Sequence, residues 1–298
     1  MITTSVVIVN YNGGMMLTDC VRSALQQAQQ VIVIDNASSD GSLEWLAKTL
    51  SSEKDVVLIH AGRNLGFAAA CNLGIPAATG ENLLFLNPDC ILKDGVVETL
   101  GRTLEENARV GMAGPLLLNP DGTEQAGGRR AVPTPWRSFV RAFGFSKLRQ
   151  RYPRLFSDFL LCEQPLPREP LEVEAISGSC MLVRRDAIRD VGILDESYFM
   201  HCEDLDWCMR FRQGGWKILF VPDASAVHCK GMCSNSRPIF VEWHKHKGMM
   251  RFYRKFFRHQ YPGVLLWLVG AGVWLRFSVL ALHYSARHMR NWLARDRG

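Results

Sequence analysis

The chain lacks the usual glycine-rich phosphate cradles. There is no G-x-x-x-x-G-K-[ST], and Gly13 and Gly14 are adjacent after the first apolar run, where a dinucleotide fingerprint needs G-x-G-x-x-G. A C-x-x-C knuckle is also missing. The nine cysteines (Cys20, Cys71, Cys90, Cys162, Cys180, Cys202, Cys208, Cys229, Cys233) follow no regular framework. That pattern suits reduced thiols in the cytosol, and the group His201, Cys202, Cys208, His228, Cys229 and Cys233 does not read as structural zinc. No basic stretch opens the chain, and the apolar run behind Met1-Ile2-Thr3-Thr4-Ser5 is five residues long, so a strand is expected there and not a signal peptide. Acid is nearly absent from residues 244–298, which hold 11 Lys+Arg and only Asp296, a net +10. The other 243 residues sum to −4, so the overall +6 describes no single part.

What is present is the material of a packed core. Of 298 residues, 47% are apolar and 21% charged, which excludes collagen, coiled coil and wholesale disorder. Length allows one large domain or two modest ones. Short apolar runs alternate with helical patterns over the first 115 residues. Strands are expected at 5–9, 31–35, 55–60, 82–86 and 110–114, with helices at 13–30, 40–50, 66–78 and 94–107. Unbroken apolar strands between helices predict a mostly parallel Rossmann-like sheet covered on both faces, with ligands beyond the carboxyl ends of the strands.

Those ends are polar. They carry Asn10-Tyr11-Asn12, Asp35-Asn36, Arg63-Asn64 and Asn87-Pro88-Asp89. Any one of these is an ordinary turn or cap residue. Four in succession on one rim suit a ribose, a base edge or a metal-bound diphosphate.

These segments resemble family 2 glycosyltransferases. Val6-Val7-Ile8-Val9-Asn10-Tyr11-Asn12, Val33-Ile34-Asp35-Asn36-Ala37-Ser38-Ser39-Asp40-Gly41 and Arg63-Asn64-Leu65-Gly66-Phe67-Ala68 look like the nucleotide-sugar half of that family, and Asn87-Pro88-Asp89 stands where its D-x-D motif stands. Four later segments are similar to the bacterial rhamnosyltransferase branch: Ile176–Arg185 with Gly178 and Ser179, Gly192–Glu196, Glu203–Arg210, and His228-Cys229-Lys230-Gly231-Met232-Cys233-Ser234. The resemblance covers about residues 4–260. It implies a GT-A fold and inverting transfer from a dTDP- or UDP-sugar, with Asn10, Asn12, Asp35, Asn36, Arg63, Asn64, Asn87 and Asp89 around the nucleotide sugar. It further implies Mg²⁺ or Mn²⁺ on Asp89, with His228 as a second ligand, and Asp204 as catalytic base. Glu203, Asp206, Gly178 and Ser179 would support the base or the acceptor. Asn87 replaces the first Asp of D-x-D, which removes one negative charge from the metal corner.

Inversion needs one base on the face opposite the leaving group. Glu203-Asp204 opens a helix expected to run to Gln213, where the macrodipole stabilises carboxylates, so capping is the alternative role for Glu203, Asp204 and Asp206. His228 is expected beyond a strand at 216–221 and a turn at Pro222-Asp223.

Residues 1–240 are expected to form the catalytic domain. Within it, 131–172 mixes prolines, bases and aromatics as an acceptor-side insertion, expected to be a mobile loop touching lipid headgroups or an acidic acceptor. Residues 241–298 form a basic helical tail. Gly263–Leu275 is uncharged but rises only about 20 Å as a helix, short of a bilayer core of about 30 Å. Arg276, His283, Arg287 and Arg290 share one helical face. The tail therefore predicts an amphipathic helix on an anionic membrane surface, with a short spanning or re-entrant helix and an oligomer contact as the alternatives, and not a nucleic-acid contact. The resulting expectation is a cytoplasmic enzyme, peripheral on the inner face of a bacterial inner membrane, acting on a lipid-linked glycan. A catalytically silent sugar-nucleotide-binding scaffold is the alternative.

Overall fold

The computed structural model describes residues 3–49, 56–152, 155–229, 231 and 237–295. Lys230, Met232, Cys233 and Ser234 of the His228 motif lie outside the described residues, apart from Gly231 between them.

The first half builds as its pattern predicts. Strands β1 (Thr4–Asn10), β2 (Gln30–Asp35), β3 (Val56–His60) and β4 (Asn82–Leu86) alternate with helices α1 (Met16–Leu25), α2 (Ser42–Thr49) and α3 (Phe67–Gly74). β1 and β4 are buried throughout because helices cover both faces. The chain continues through β5 (Cys90–Leu92), α4 (Val96–Glu105), β6 (Val110–Leu118), β7 (Arg129–Arg130), α5 (Pro135–Ala142), β8 (Leu171–Glu172) and β9 (Ala175–Ile176). It closes with β10 (Cys180–Arg184), α6 (Arg185–Val191), α7 (Glu203–Gln213), β11 (Lys217–His228), α8 (Pro238–Phe257) and α9 (Gly263–Arg295).

The main sheet runs β3-β2-β1-β4-β10-β6-β11-β5, with β8 also on β11. β1, β2, β3 and β4 pair in parallel. β10 enters antiparallel between β4 and β6, and β6 pairs in parallel with β11. The order reverses at β1, with β2 on one side and β4 on the other, so the crevice opens beyond Asn10 and Leu86. Alternate side chains feed two cores. Val7, Val9, Ile32, Ile34 and Phe85 pack with α3, α7 and α8, whereas Val6, Ile8, Val31, Val33 and Leu84 pack with α1 and α4.

Three expectations change. β11 does not stop at Val221: a register shift between Val221 and Ser225 absorbs Pro222-Asp223, and the strand continues to His228. The 131–172 segment holds a helix and short 3₁₀ turns tied down by Arg137–Glu174 and Arg141–Asp158 ion pairs at 2.6 Å each, not a bare loop. The expected boundary at residue 240 also moves. Phe252, Tyr253 and Phe257 of α8 belong to the core, so the tail proper begins at α9.

α9 runs antiparallel to α8, since Trp243 meets Trp274 and Phe277 while Met250 lies against Gly270. At 3.6 residues per turn, Leu266, Val269 and Val273 face the body. Val264, Leu268, Leu275, Val279, Leu282 and Met289 fall on the opposite side and are exposed, Leu282 at 71%. Arg276, His283, Arg287 and Arg290 form the flank between the two. The helix is thus apolar on two opposed sides, with a basic edge, and not on one side only.

Candidate active site

The β1 and β2 ends form one knot of side-chain amides. Asn10 is fully buried; its Nδ2 donates to Ser38 Oγ and Ser42 Oγ at 2.9 Å each, and its Oδ1 accepts from Gly13 N at 3.2 Å. Asn36 Nδ2 donates to Asn64 Oδ1 at 3.0 Å, and Asn36 Oδ1 accepts from Leu65 N at 2.8 Å. Asn12 Oδ1 accepts from Ser39 N at 2.8 Å, from a left-handed backbone (φ 56°). Asn10 and Asn36 thus tie the strand-end loops together, each side-chain oxygen accepting one backbone N–H. Asp35 differs. Its Oδ1 accepts from Ser38 N at 3.2 Å, while its Oδ2 makes no hydrogen bond among the described residues and lies 3.8 Å from His60 Nδ1. Asn64 is half-buried beside it and Arg63 is exposed on the rim. Gly66 closes the knot at φ 85°; a Cβ there would stand 2.3 Å from the Phe199 carbonyl oxygen.

The second corner joins residues 139 positions apart. β5 pairs antiparallel with the end of β11, matching Cys90 to His228, which brings Asp89 beside His228. Asp89 Oδ1 is 3.2 Å from His228 Nε2, and both side chains are buried. The tautomer follows from Gln125. Its Nε2 donates to the His228 carbonyl at 3.0 Å and to Asn119 Oδ1 at 3.1 Å, so its Oε1 is the atom 2.7 Å from His228 Nδ1. Nδ1 must carry a proton to bond that oxygen. A neutral ring then turns an Nε2 lone pair toward a carboxylate oxygen, a contact that a shared cation satisfies. A hard oxygen and an imidazole nitrogen, with the outer nitrogen anchored, fit Mg²⁺ or Mn²⁺. Asn87 Nδ2 stands 3.5 Å from the same Nε2. Among the described residues no cluster of three His, Cys, Asp or Glu side chains is placed to hold a metal, so a diphosphate and water would complete the shell. Cys202 and Cys208 are buried, Cys208 against Met112.

The third corner is the start of α7. His201 and Cys202 are left-handed (φ 64° and 69°), which turns the chain sharply into the helix. Asp204 Oδ1 accepts from Leu205 N at 2.7 Å; Oδ2 accepts from Gly178 N at 3.1 Å and is ion-paired with Arg130. Burial pushes the Asp204 pKa up, but Arg130 and the Gly178 and Leu205 amides outweigh it and hold the group below its ordinary value. Glu203 goes the other way. Burial and then the charge of Asp204 raise it, and its Oε2 is buried with no partner among the described residues. Two adjacent carboxyls are therefore driven apart, Asp204 ionised and Glu203 protonated. Asp206 does not join them. It is fully buried and bound to Tyr198 Oη (3.1 Å), Arg210 Nε (2.7 Å) and Lys255 Nζ (2.6 Å), so it fastens α7 to α8 and cannot reach an acceptor.

One turn links the last two corners. Asn87 N donates to the Ser179 carbonyl at 2.9 Å and Asn87 Nδ2 lies 3.4 Å from Ser179 Oγ, while Gly178 N holds Asp204. Asn87, beside the Asp89–His228 pair, and Asp204 are thus joined through one short segment. Gln125 and Arg130 were not expected from the sequence; Gly127-Gly128 before the Arg129-Arg130 pair is the one local signal of a tight turn there.

A parallel half-sheet with polar strand ends and this triple corner define a nucleotide-sugar transferase. The glycosyl transferase family 2 profile matches residues 5–192, and the glycosyl transferase family group 2 profile matches 130–293. The chain belongs to glycosyltransferase family 2. Its relatives are of the rhamnosyltransferase branch. It is 29% identical over 300 residues to N-acetylglucosaminyl-diphospho-decaprenol L-rhamnosyltransferase of Mycobacterium tuberculosis, covering 96% of this chain and 94% of the relative. It is 25% identical to dTDP-rhamnosyl transferase RfbF of Shigella flexneri, covering 83% and 76%. Among solved structures, the mannosyltransferase PcManGT of Pyrobaculum calidifontis with GDP-Man and Mn²⁺ superposes with a TM-score of 0.59 at 15% identity, over 96% of this chain and 75% of that one. GalNAc-T7 with UDP, GalNAc and Mn²⁺ gives 0.58 at 20% identity, over 76% of this chain and 44% of that one. These identities establish the GT-A fold alone.

Proposed function

We propose that this glycosyltransferase moves rhamnose, with inversion, from dTDP-rhamnose to a lipid-linked glycan at the inner face of a bacterial inner membrane. The observation that supports the reading is the 177–179 turn, which bonds Asp204 through Gly178 N and Asn87, two residues before Asp89, through Ser179. Asp35 and Asn64 would meet the nucleoside. Asp89 and His228 would hold Mg²⁺ or Mn²⁺, which when bound offsets charge on the departing diphosphate. Asp204 takes the proton from the acceptor hydroxyl as that oxygen attacks the anomeric carbon, and the sugar's bond to the diphosphate breaks on the far side. Gly178 and Leu205 hold the carboxylate in the orientation this needs. The sugar and nucleotide are supported by the names of the two rhamnosyltransferase relatives.

The membrane reading rests on α9. Gly263–Arg290 is long and apolar enough to cross a bilayer by length and composition, and little of it is fully buried. Crossing would cost the aromatic contacts of Trp274 and Phe277 with α8, whereas lying in the headgroup plane keeps them and buries the outer apolar side. The 131–172 insertion packs against α8. Tyr253 Oη of α8 donates to Ser138 Oγ at 2.7 Å, and Trp136, Phe139 and Phe143 are exposed on and just after α5, Trp136 stacked on Phe139.

Asp204→Asn tests the chemistry. Rhamnosyl transfer should fall by about 100- to 10,000-fold, the range for a general base, while the thermal shift on adding dTDP-rhamnose with Mg²⁺ persists. Unchanged transfer removes Asp204 as base, and a shift with UDP- or GDP-sugars only removes the donor assignment. Turnover absent with every sugar nucleotide, alongside intact binding, would favour the scaffold alternative.

A further inference from the structure

The base is not free in this structure. An ionised carboxylate has about four acceptor positions, and Asp204 has filled three with Gly178 N, Leu205 N and Arg130. The two amides are backbone and stay put. Arg130 is a side chain on the short β7 strand, anchored otherwise by Nη2 to the Ile176 carbonyl at 3.0 Å. Its Nε is buried with no partner among the described residues, so the guanidinium, whose side chain is 16% exposed, carries an unused donor. We propose that Arg130 keeps Asp204 masked until an anionic acceptor arrives, and that a phosphate of that acceptor takes the guanidinium and uncovers the base. Planar, forked donors favour phosphate strongly. In a sugar-diphosphate lipid, the first phosphate lies one ring away from the hydroxyls that can be glycosylated, within reach of a residue already touching the base. The inference rests on the reading of Asp204 as base.

Masking has a purpose in a transferase. With donor bound and no acceptor, a free base would activate water and hydrolyse the sugar nucleotide. A carboxylate locked to Arg130 does so poorly, and the charge that unlocks it belongs to the correct acceptor. The other ionisable groups around Asp204 are Glu203, Cys202 and Cys208, with Lys245 of α8 near Cys202 and Arg212 near Cys208. Burial raises both thiols and Glu203, leaving them neutral near pH 7, so Arg130 is the cation in direct contact.

The test compares the full-length wild type with Arg130→Gln and Arg130→Lys, using dTDP-rhamnose, an N-acetylglucosaminyl diphosphate lipid and a neutral octyl glycoside of the same sugar. The wild type should prefer the diphosphate acceptor by about 100-fold or more in kcat/KM, two pairings' worth of tenfold steps. Arg130→Gln should shrink that preference to about tenfold or less, raise donor hydrolysis relative to transfer, and move the acidic limb of kcat/KM up by about one to three pH units. Arg130→Lys keeps the charge, so its acidic limb should stay near wild type while the acceptor KM rises. An unchanged acceptor preference, hydrolysis ratio and acidic limb in Arg130→Gln overturns the proposal. Should Arg130→Gln fail to fold, the wild-type comparison of the two acceptors still decides, since equal use of both overturns it. Loss of transfer in Asp204→Asn with a silent Arg130→Gln rejects only the masking role; full transfer in Asp204→Asn rejects the base itself.

Discussion

Glu203 and Asp204 show how one peptide bond separates opposite electrostatic roles. Glu203 is held protonated by burial and by its neighbour, so its folded pKa lies above the ordinary 4.5. The folded state then keeps a proton that the unfolded chain releases, and stability contributed below pH 4.5 is lost as pH rises toward the folded value. Glu203→Gln removes that penalty. Its melting temperature should exceed wild type at pH 8 and match it near pH 4, which paired calorimetric scans would show; the opposite order would mean Glu203 is ionised in the fold. Gln125 makes a second residue-scale prediction. It fixes the His228 ring through Nδ1, so Gln125→Ala should weaken Mn²⁺ binding in the presence of nucleotide by about 10- to 100-fold. Titration calorimetry checks it, and no change would leave His228 outside the metal corner. Neither role was legible beforehand. A glutamine far from any motif, and a carboxyl whose character depends on burial, carry no local signature.

At the scale of elements, β1, β2, β4 and the position of α7 were readable because continuous apolar runs with polar ends have one packing solution. The ends of α1 and α3 were overestimated, since small and amide residues continue a helical pattern past its hydrogen bonds. β10 and β5 were missed as sheet members because an antiparallel insertion is a choice made by long-range pairing, not by local composition. The same holds for β11, whose Pro222-Asp223 is a bulge and not an end. α7 itself is bolted from behind. Asp206 binds Tyr198, Arg210 and Lys255, and Asp195 binds Arg251 at 2.9 Å and Lys255 at 2.8 Å. Removing one member of such a buried network leaves the others uncompensated. Asp206→Asn should cost about 3 kcal/mol, read as a lower urea midpoint, whereas Asp186→Asn in the exposed pair with Arg189 should leave the midpoint in place.

For the whole molecule, the charge asymmetry between body and tail was visible in the sequence, but the two-sided form of α9 was not, because only the fold reveals that one apolar side is already covered by α8. The remaining side predicts its own partner. Replacing Leu275 and Leu282 by Glu should reduce binding to phosphatidylglycerol-containing vesicles by about tenfold or more, as each lost leucine forfeits about 1.5–3 kcal/mol of burial. The soluble fraction should keep its melting temperature, since neither side chain touches the body. Should the stripe instead join two copies, the double variant would change the size of the protein in chromatography and leave vesicle binding alone.

Gly248 draws these scales together. It sits on α8 where a Cβ would stand 2.9 Å from the His201 carbonyl oxygen, two residues before Glu203-Asp204. α8 therefore lies flush against the loop that aims Asp204, and its other side carries α9. Asp204 and the outward apolar stripe are thus connected through the packing of α8 against the 201–202 turn and of α9 against α8. With that stripe resting on a bilayer, the carboxylate stands at a set height above the lipid. On the proposed membrane reading, an acceptor hydroxyl would have to rise from its lipid anchor to that height to meet the carboxylate.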